Sequence, residues 1–283
     1  MSMWRIFRGR VWGDSDISSE QRRFHFRRGR VICPRMPDYA IIIPAFNEEA
    51  FLPATLSSAR SAMTHVARDF GKGELIVVDN NSHDRTAEVA RSHGADQVVF
   101  EPHNQIARAR NAGAESTTAE WLVFLDADTT LSGETLAKAL AALATGTVAA
   151  GGARVAMDRE VTPLVGWIVR TWDRVSTTFA YAAGSFFFTR RDAFKAGGGF
   201  DETVYAGEEV WLARRIKAWA KKEGLTFHVL PESVTTSARK DDWFSTKEFL
   251  TQLAVIFLIP WATRSRRLCA MWYKRPKAPT EPS

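Results

Sequence analysis

Three uninterrupted apolar runs constrain this chain more than any other feature: Ala40-Ile41-Ile42-Ile43, Leu75-Ile76-Val77-Val78 and Trp121-Leu122-Val123-Phe124-Leu125. Each is short, and each stops at a rigid or polar residue: Pro44, Asp79 and Asp126. A strand with one wet face alternates apolar and polar residues. A strand that is apolar throughout must be covered on both faces. Helical patterns fill the intervals. Asn47 is placed to start a helix, with Glu48 and Glu49 at its positive end. Ser82 is placed to cap the next helix, which carries Ala87, Val89 and Ala90. Gln97 to Phe100 reads as a short third strand, Ile106 to Glu115 and Ser132 to Ala144 as helices, and a further strand resumes at Val148.

This alternation predicts an α/β fold: a Rossmann-like, mostly parallel sheet with helices on both faces. Right-handed crossovers bring the strand C-termini to one edge, and ligands bind outside that edge. Pro44-Ala45-Phe46-Asn47, Asp79-Asn80-Asn81 and Asp126-Ala127-Asp128 all fall there.

After Val161 the rhythm loosens. Val165 to Tyr181 reads as an aromatic-rich helix, Ser185 to Thr189 as a strand, Glu208 to Glu223 as a helix and Phe227 to Leu230 as a short extended segment. Phe249 to Ala262 is mostly apolar but is closed by Pro260, short of the roughly 20 residues that cross a bilayer. It reads as a core helix or as an interfacial one. The second reading draws on Arg264, Arg266, Arg267, Lys274, Arg275 and Lys277, with Trp261, Trp272 and Tyr273 among them. The expected organisation is a basic arm over residues 1–36, an α/β domain over 37–240, and an apolar helix with a basic tail over 241–283.

A net charge of +6 suits anionic partners such as nucleotide diphosphates, phospholipid surfaces or nucleic acid, without choosing among them. Cys33 and Cys269 lie far apart with no CxxC spacing, which argues against a zinc site or a disulfide framework and for a reducing compartment. Asp14, Asp16 and Glu20 interrupt the N-terminus, so no secretory signal is read there. A cytoplasmic location is expected, extending to the inner face of a membrane if the tail binds lipid.

Asp126 and Asp128, one residue apart after a buried strand, suit a shared divalent cation that bridges two phosphates. All-oxygen ligands favour Mg²⁺ or Mn²⁺. Asp79 after its own strand can accept hydrogen bonds from a base or ribose, or simply organise its turn.

Six segments in order resemble the motifs of the family 2 glycosyltransferases, which have the GT-A fold. Ile42-Ile43-Pro44-Ala45-Phe46-Asn47-Glu48 is similar to their opening strand and loop. Asp79-Asn80-Asn81-Ser82-His83-Asp84-Arg85-Thr86 is similar to their second motif, and Ala109-Arg110-Asn111-Ala112-Gly113 to their Arg-Asn-x-Gly segment. Phe124-Leu125-Asp126-Ala127-Asp128 resembles their DXD strand, Gly198-Gly199-Phe200-Asp201-Glu202 their acceptor-side loop, and Gly207-Glu208-Glu209 their Gly-Glu-Asp, with Arg215 matching the arginine later on that helix.

The resemblance implies that Pro44, Phe46 and Glu48 line a nucleoside pocket, with Asp79 near the base. It implies that Arg110 approaches the donor, that Asp126 lies near ribose and metal, and that Asp128 ligates the metal. It implies an inverting transfer from a nucleotide-diphosphate sugar, UDP by family habit, to a small or lipid-linked acceptor, with Glu209 as base and Glu208 second. The family has Asp where Glu209 stands. A Gln-x-x-Arg-Trp segment after the glutamate pair is missing, which points to transfer of a single sugar. Thr235 to Lys240 reads as a surface loop, or as one that closes over the donor through Arg239.

Two other classes compete. A nucleotidyltransferase would carry a Gly-rich basic loop after the first strand; this chain has Pro44-Ala45-Phe46-Asn47-Glu48. A non-catalytic membrane or nucleic-acid binding module on a degenerate GT-A fold would have no use for Asp126, Asp128 and Glu209. No nucleic-acid partner is expected.

Overall fold

The computed structural model describes residues 38–162, 184–239 and 260–273, with isolated positions at 166–167, 171, 243, 248 and 251. All belong to the compact unit Met36–Ser283. The basic arm before Met36 and most of the expected helices at Val165 to Tyr181 and Phe249 to Ala262 lie outside the described residues.

The elements run β1 (Tyr39–Ala45), α1 (Leu52–Phe70), β2 (Gly73–Asp79), α2 (Thr86–Ser92), β3 (Gln97–Phe100), α3 (Ile106–Glu115), β4 (Trp121–Leu125), β5 (Thr129–Thr130), α4 (Gly133–Ala144) and β6 (Val148–Met157). Then come β7 (Phe186–Arg190), α5 (Arg191–Ala196), α6 (Glu208–Lys222), β8 (Thr226–Thr236), a 3-10 turn (Pro260–Arg264) and α7 (Ala270–Tyr273). Among the described residues eight strands form one sheet in the order β3-β2-β1-β4-β7-β6-β8-β5. The pairs β1·β2, β1·β4, β2·β3 and β6·β8 are parallel; β7 and β5 run against their neighbours. This is the mostly parallel α/β sheet that the alternation predicts.

The apolar runs are apolar throughout because successive residues enter two different cores. Ile41, Ile43, Leu75, Val77, Val123 and Leu125 face one layer, where α1 and α4 supply Leu52, Leu56, Leu136 and Leu140. Ala40, Ile42, Ile76, Val78, Leu122 and Phe124 face the other, against α3, α5 and α6. Each buried Leu, Ile or Phe contributes on the order of 1.5–3 kcal/mol by leaving water. The sheet is therefore held by two independent hydrophobic layers.

The connection order fixes where a ligand can bind. From β1 the chain steps outward through β2 and β3, then returns to the other side of β1 as β4. The loops after β1 and β4 diverge from adjacent strand ends, which opens a crevice between them. Pro44 to Glu48 and Asp126 to Asp128 border it.

Three local expectations need correction. Asn47 does not start a helix: it has a left-handed backbone (φ 52), and α1 begins at Leu52 with Pro53 in its first turn. Ser82 does not cap α2; Asp84 Oδ1 accepts from Thr86 N at the start of that helix instead (2.9 Å). The last strand is also longer than Phe227 to Leu230, because it pairs in parallel with all of β6 despite its polar residues. Among the described residues no helix is long and apolar enough to cross a membrane.

Gly113 lets α3 lie on the sheet. A Cβ there would stand 2.4 Å from Ile42 Cγ2 and 3.0 Å from Val78 Cγ2. Gly113→Ala should cost about 1–3 kcal/mol of stability through overpacking, read as a lower midpoint in urea with an unchanged m-value. An unchanged midpoint would mean the helix–sheet spacing is looser than this contact implies.

Candidate active site

The loop after β1 is clamped by the loop after β2. Asn47 N donates to Ser82 Oγ (3.0 Å), Glu48 N to Thr86 Oγ1 (2.8 Å) and Glu49 N to Asp84 Oδ2 (3.2 Å). In return His83 N donates to Asn47 Oδ1 (2.8 Å) and Arg85 N to Glu49 Oε2 (3.1 Å). Asn47 and Asn81 are the two non-glycine residues with positive φ among the described residues, at 52 and 65. Asparagine is the residue that tolerates this region best after glycine. Asp79 Oδ1 accepts from Ser82 N (3.0 Å), so this carboxylate organises its own turn. Ser82, Asp84 and Thr86 of the second loop thus fix the first loop rather than fill the crevice.

Two buried arginines tie the crevice together. Arg110 on α3 donates through Nη1 to Glu208 Oε1 (2.6 Å), and through Nη2 to Asp126 Oδ1 (2.8 Å) and the Gly184 carbonyl (2.8 Å). Its guanidinium lies over the Phe200 ring at 5.2 Å. Phe200 in turn packs edge-on against Phe124 of β4, with ring centroids 4.9 Å apart. Burial works against the Arg110 charge, but Asp126, Glu208 and Glu209 outweigh it and raise its pKa. The second arginine, Arg239, follows β8. It holds Glu48 with both terminal nitrogens (2.5 and 2.6 Å) and Asp128 Oδ2 through Nη2 (2.9 Å). Burial again opposes the charge; the hydrogen bonds to Glu48 and the Asp128 and Glu48 charges overcome it. Arg239 meets Asp128 because β5 pairs with the end of β8 and Ser237 N donates to the Asp128 carbonyl (3.1 Å).

The two glutamates at the start of α6 differ. Glu208 is buried and engaged by Arg110. Glu209 is only partly buried and faces Gly184, where a Cβ would come within 3.3 Å of Glu209 Oε1. Removal from bulk water, then the neighbouring Glu208 charge, push the Glu209 carboxyl up to about 8, with Arg110 pulling it back. It is mostly protonated at neutral pH.

Pro44, Phe46, Glu48, Arg110, Asp126, Asp128, Glu208 and Glu209 all line one crevice. Asp79 does not; its neighbour Asn80 does. Arg239 lines it too and is buried, not part of a solvated loop. Asn80 belongs to a cluster that the sequence places at this edge; sequence reasoning missed Asn104, Ile106, Gly184 and Tyr273. Asn80 holds the β3–α3 turn: its Nδ2 donates to the His103 carbonyl (2.6 Å) and its Oδ1 accepts from Gln105 N (2.7 Å). Tyr273 arrives from the far end of the chain, on a segment docked through Tyr205 N to the Thr263 carbonyl (2.6 Å) and Arg266 Nη2 to Asn104 Oδ1 (2.6 Å). Nothing in its local sequence signals this. Asn111 is structural: it accepts from Phe200 N (2.9 Å) and donates to the Phe200 carbonyl (2.9 Å), clasping the Gly198 to Glu202 loop to α3.

Five carboxylates and two guanidinium groups line the crevice. Carboxylates outnumber guanidinium groups there, an excess of negative charge that a divalent cation would reduce. The donors at Asp126 and Asp128 are all oxygen, which suits Mg²⁺ or Mn²⁺. Among the described residues no third His, Cys, Asp or Glu joins them. The remaining ligands of such an ion would come from water and a bound diphosphate.

Residues 40–198 match the family described as Glycosyl transferase family 2. An uncharacterized glycosyltransferase of Mycobacterium bovis is 34% identical over 139 residues, covering 47% of this chain and 57% of the relative. The chain thus spans little more than half the length of that relative. Its fold matches a Pyrobaculum calidifontis mannosyltransferase in complex with GDP-Man and Mn²⁺ (TM-score 0.57, 22% identity, 87% of this chain and 67% of the other). It also matches a Mycobacterium tuberculosis glucosyl-3-phosphoglycerate synthase in complex with Mn²⁺, UDP and glucosyl-3-phosphoglycerate (TM-score 0.57, 18% identity, 83% and 80%). These are GT-A structures, and the sheet described above shares that fold.

The raised Glu209 pKa has a signed consequence. A carboxyl that is harder to ionise when folded contributes full stability below its unfolded value near 4.5, and loses it as pH rises through about 8. Glu209→Gln removes that loss. Its Tm should exceed the parent's above pH 8 and converge with it near pH 4. Parallel Tm–pH curves would refute the assignment.

Proposed function

The chain belongs to glycosyl transferase family 2, and on that premise we propose that it moves one sugar from a nucleotide-diphosphate sugar to an acceptor hydroxyl with inversion. The observation that carries this reading is the crevice at the β1/β4 switch point, where Asp126, Asp128, Arg110, Glu209 and Arg239 converge. The mannosyltransferase with GDP-Man and Mn²⁺ and the synthase with UDP and Mn²⁺ support a diphosphate donor and a divalent cation. UDP is the first donor nucleotide to test and GDP the second.

Asp126 and Asp128 would hold the cation, whose charge stabilises the departing diphosphate. Pro44 and Phe46 flank the β1 side of the crevice, where the nucleoside would lie. Glu209 takes the proton of the attacking hydroxyl. Only its ionised form accepts that proton, so the elevated pKa makes a stronger base of a smaller population and shifts the acidic limb of the rate profile upward. Glu208 is a positioning residue. Its carboxylate is committed to Arg110, which in turn orients Asp126.

The 3-10 turn presents Trp261, 69% exposed, beside the exposed Arg264 and Arg267. An aromatic ring flanked by arginines suits an anionic membrane surface. This favours peripheral association at the inner face of a membrane and a lipid-linked acceptor over a freely diffusing one.

Thermal shift with UDP, GDP, dTDP and CMP, each with and without Mn²⁺, tests the donor reading. One nucleoside diphosphate should raise Tm only with Mn²⁺, and Asp128→Ala should lose that response. No shift with any of the four would reject it. With the donor identified, Glu209→Gln should lower kcat by roughly 10²–10⁴ while leaving donor affinity near the parent's. If Glu208→Gln alone did this, the base would be misassigned. Trp261→Ser with Arg264→Glu and Arg267→Glu should weaken co-sedimentation with phosphatidylserine liposomes. Equal sedimentation would remove the membrane contact.

A further inference from the structure

Arg239 occupies a position that a cation-binding site would not be expected to leave filled. Its Nη2 sits 2.9 Å from Asp128 Oδ2, the carboxylate best placed to hold a metal. The same guanidinium is anchored elsewhere: Glu48 receives Nη1 and Nη2 at 2.5 and 2.6 Å and is itself buried. Glu48 is fixed from behind, its backbone N donating to Thr86 Oγ1 (2.8 Å). The Phe51 and Trp243 rings lie 4.4 and 4.9 Å from the guanidinium carbon. Its Nε is buried and has no hydrogen-bond partner among the described residues.

These contacts divide into one firm anchor and one exchangeable contact. The Glu48 pair is bidentate and buried on both sides. The Asp128 contact is a single bond in the crevice wall, and among the described residues Asp128 Oδ1 has only a long bond from Thr236 Oγ1 (3.4 Å). A divalent cation arriving between Asp126 and Asp128 brings twice the charge and competes for the same oxygen. Arg239 then has nowhere to withdraw, because Glu48 and the two rings hold it in place. Its Nη2, released from Asp128, is left beside the cation, where the diphosphate of a donor would lie.

We propose that Arg239 is a resident counter-cation of the crevice. It neutralises Asp128 until a divalent cation displaces it, and it then becomes a diphosphate-binding group while remaining on Glu48. The inference rests on the glycosyltransferase reading for the identity of the anion, but not for the exchange at Asp128. Because the displaced group is also the ligand's receptor, cation and diphosphate bind cooperatively. The cation alone binds weakly, since it must first break the Arg239–Asp128 contact.

Calorimetric titration of the full chain separates the two roles. MnCl₂ is titrated alone, then UDP or GDP in saturating Mn²⁺. Arg239→Gln should bind Mn²⁺ alone about tenfold more tightly than the parent, because one competing ion pair is gone. It should bind the nucleoside diphosphate more weakly. Arg239→Lys keeps a charge for Glu48, so the test survives if the glutamine variant does not fold. A lysine cannot hold Glu48 bidentately and Asp128 together, and it should show the same opposed shifts. Unchanged or weaker Mn²⁺ binding in both variants would overturn the proposal and leave Arg239 as a purely structural tie. Asp128→Asn should abolish the Mn²⁺ gain, locating it at this carboxylate; a gain that persists would also overturn the proposal. A parent chain that binds Mn²⁺ through Asp128 but no nucleoside diphosphate would reject the proposed function instead, with the exchange at Asp128 then decided by the metal titration alone.

Discussion

The crevice depends on two guanidinium groups buried among carboxylates. Burying a charge costs several kcal/mol unless it is paired and hydrogen-bonded. Arg110 and Arg239 meet that condition by joining elements far apart in sequence. Arg110 links α3 to β4 and to the start of α6. Arg239 links the end of β8 to the loops after β1 and β4. Removing either arginine would strand buried carboxylates, so shape and charge in the site are coupled. The same bonds that hold the walls apart set the electrostatics between them.

Around this ionic centre the rest of the molecule acts as a rigid mount. The two hydrophobic layers fix the strand ends, and the strand order opens the crevice between β1 and β4. The aromatic cluster of Phe124, Phe187, Phe194 and Phe200 runs from the core directly beneath Arg110. The loops after β1 and β2 accept left-handed asparagines and offset that strain with five mutual hydrogen bonds. Glu209 stands apart from these ties, near the surface of the network. Its partial desolvation without a dedicated cation is what leaves its carboxyl with a raised pKa.

Much of this was legible in the chain itself. A run such as Ile41-Ile42-Ile43, short, β-branched and stopped by Pro44, favours a strand covered on both sides, and the ends of β3, α3 and β4 fall where the pattern stops. Local capping was less legible. Asn47 and Ser82 have side chains suited to helix caps, yet each instead bonds across to the other loop, an arrangement that sequence spacing cannot encode. Of the acidic residues at the strand ends, Asp79 turned inward to its own turn because Ser82 N lies within reach, while Asp126 and Asp128 stayed at the crevice.

What the sequence determined by itself was the buried strands and most of the helices between them, the edge of the sheet where chemistry can occur, and the acidic residues available there. Hydrophobic periodicity is a local signal, and it survives without knowledge of contacts. The tertiary structure decided which groups are paired. Only folding brings Arg239 back onto Glu48, 191 positions away, or Tyr273 into a wall begun by Pro44. Only burial separates two adjacent glutamates into a clamped Glu208 and a Glu209 with a raised pKa. Charge state and pairing depend on distance and solvent exclusion, and neither is a property of the chain until the sheet has closed around it.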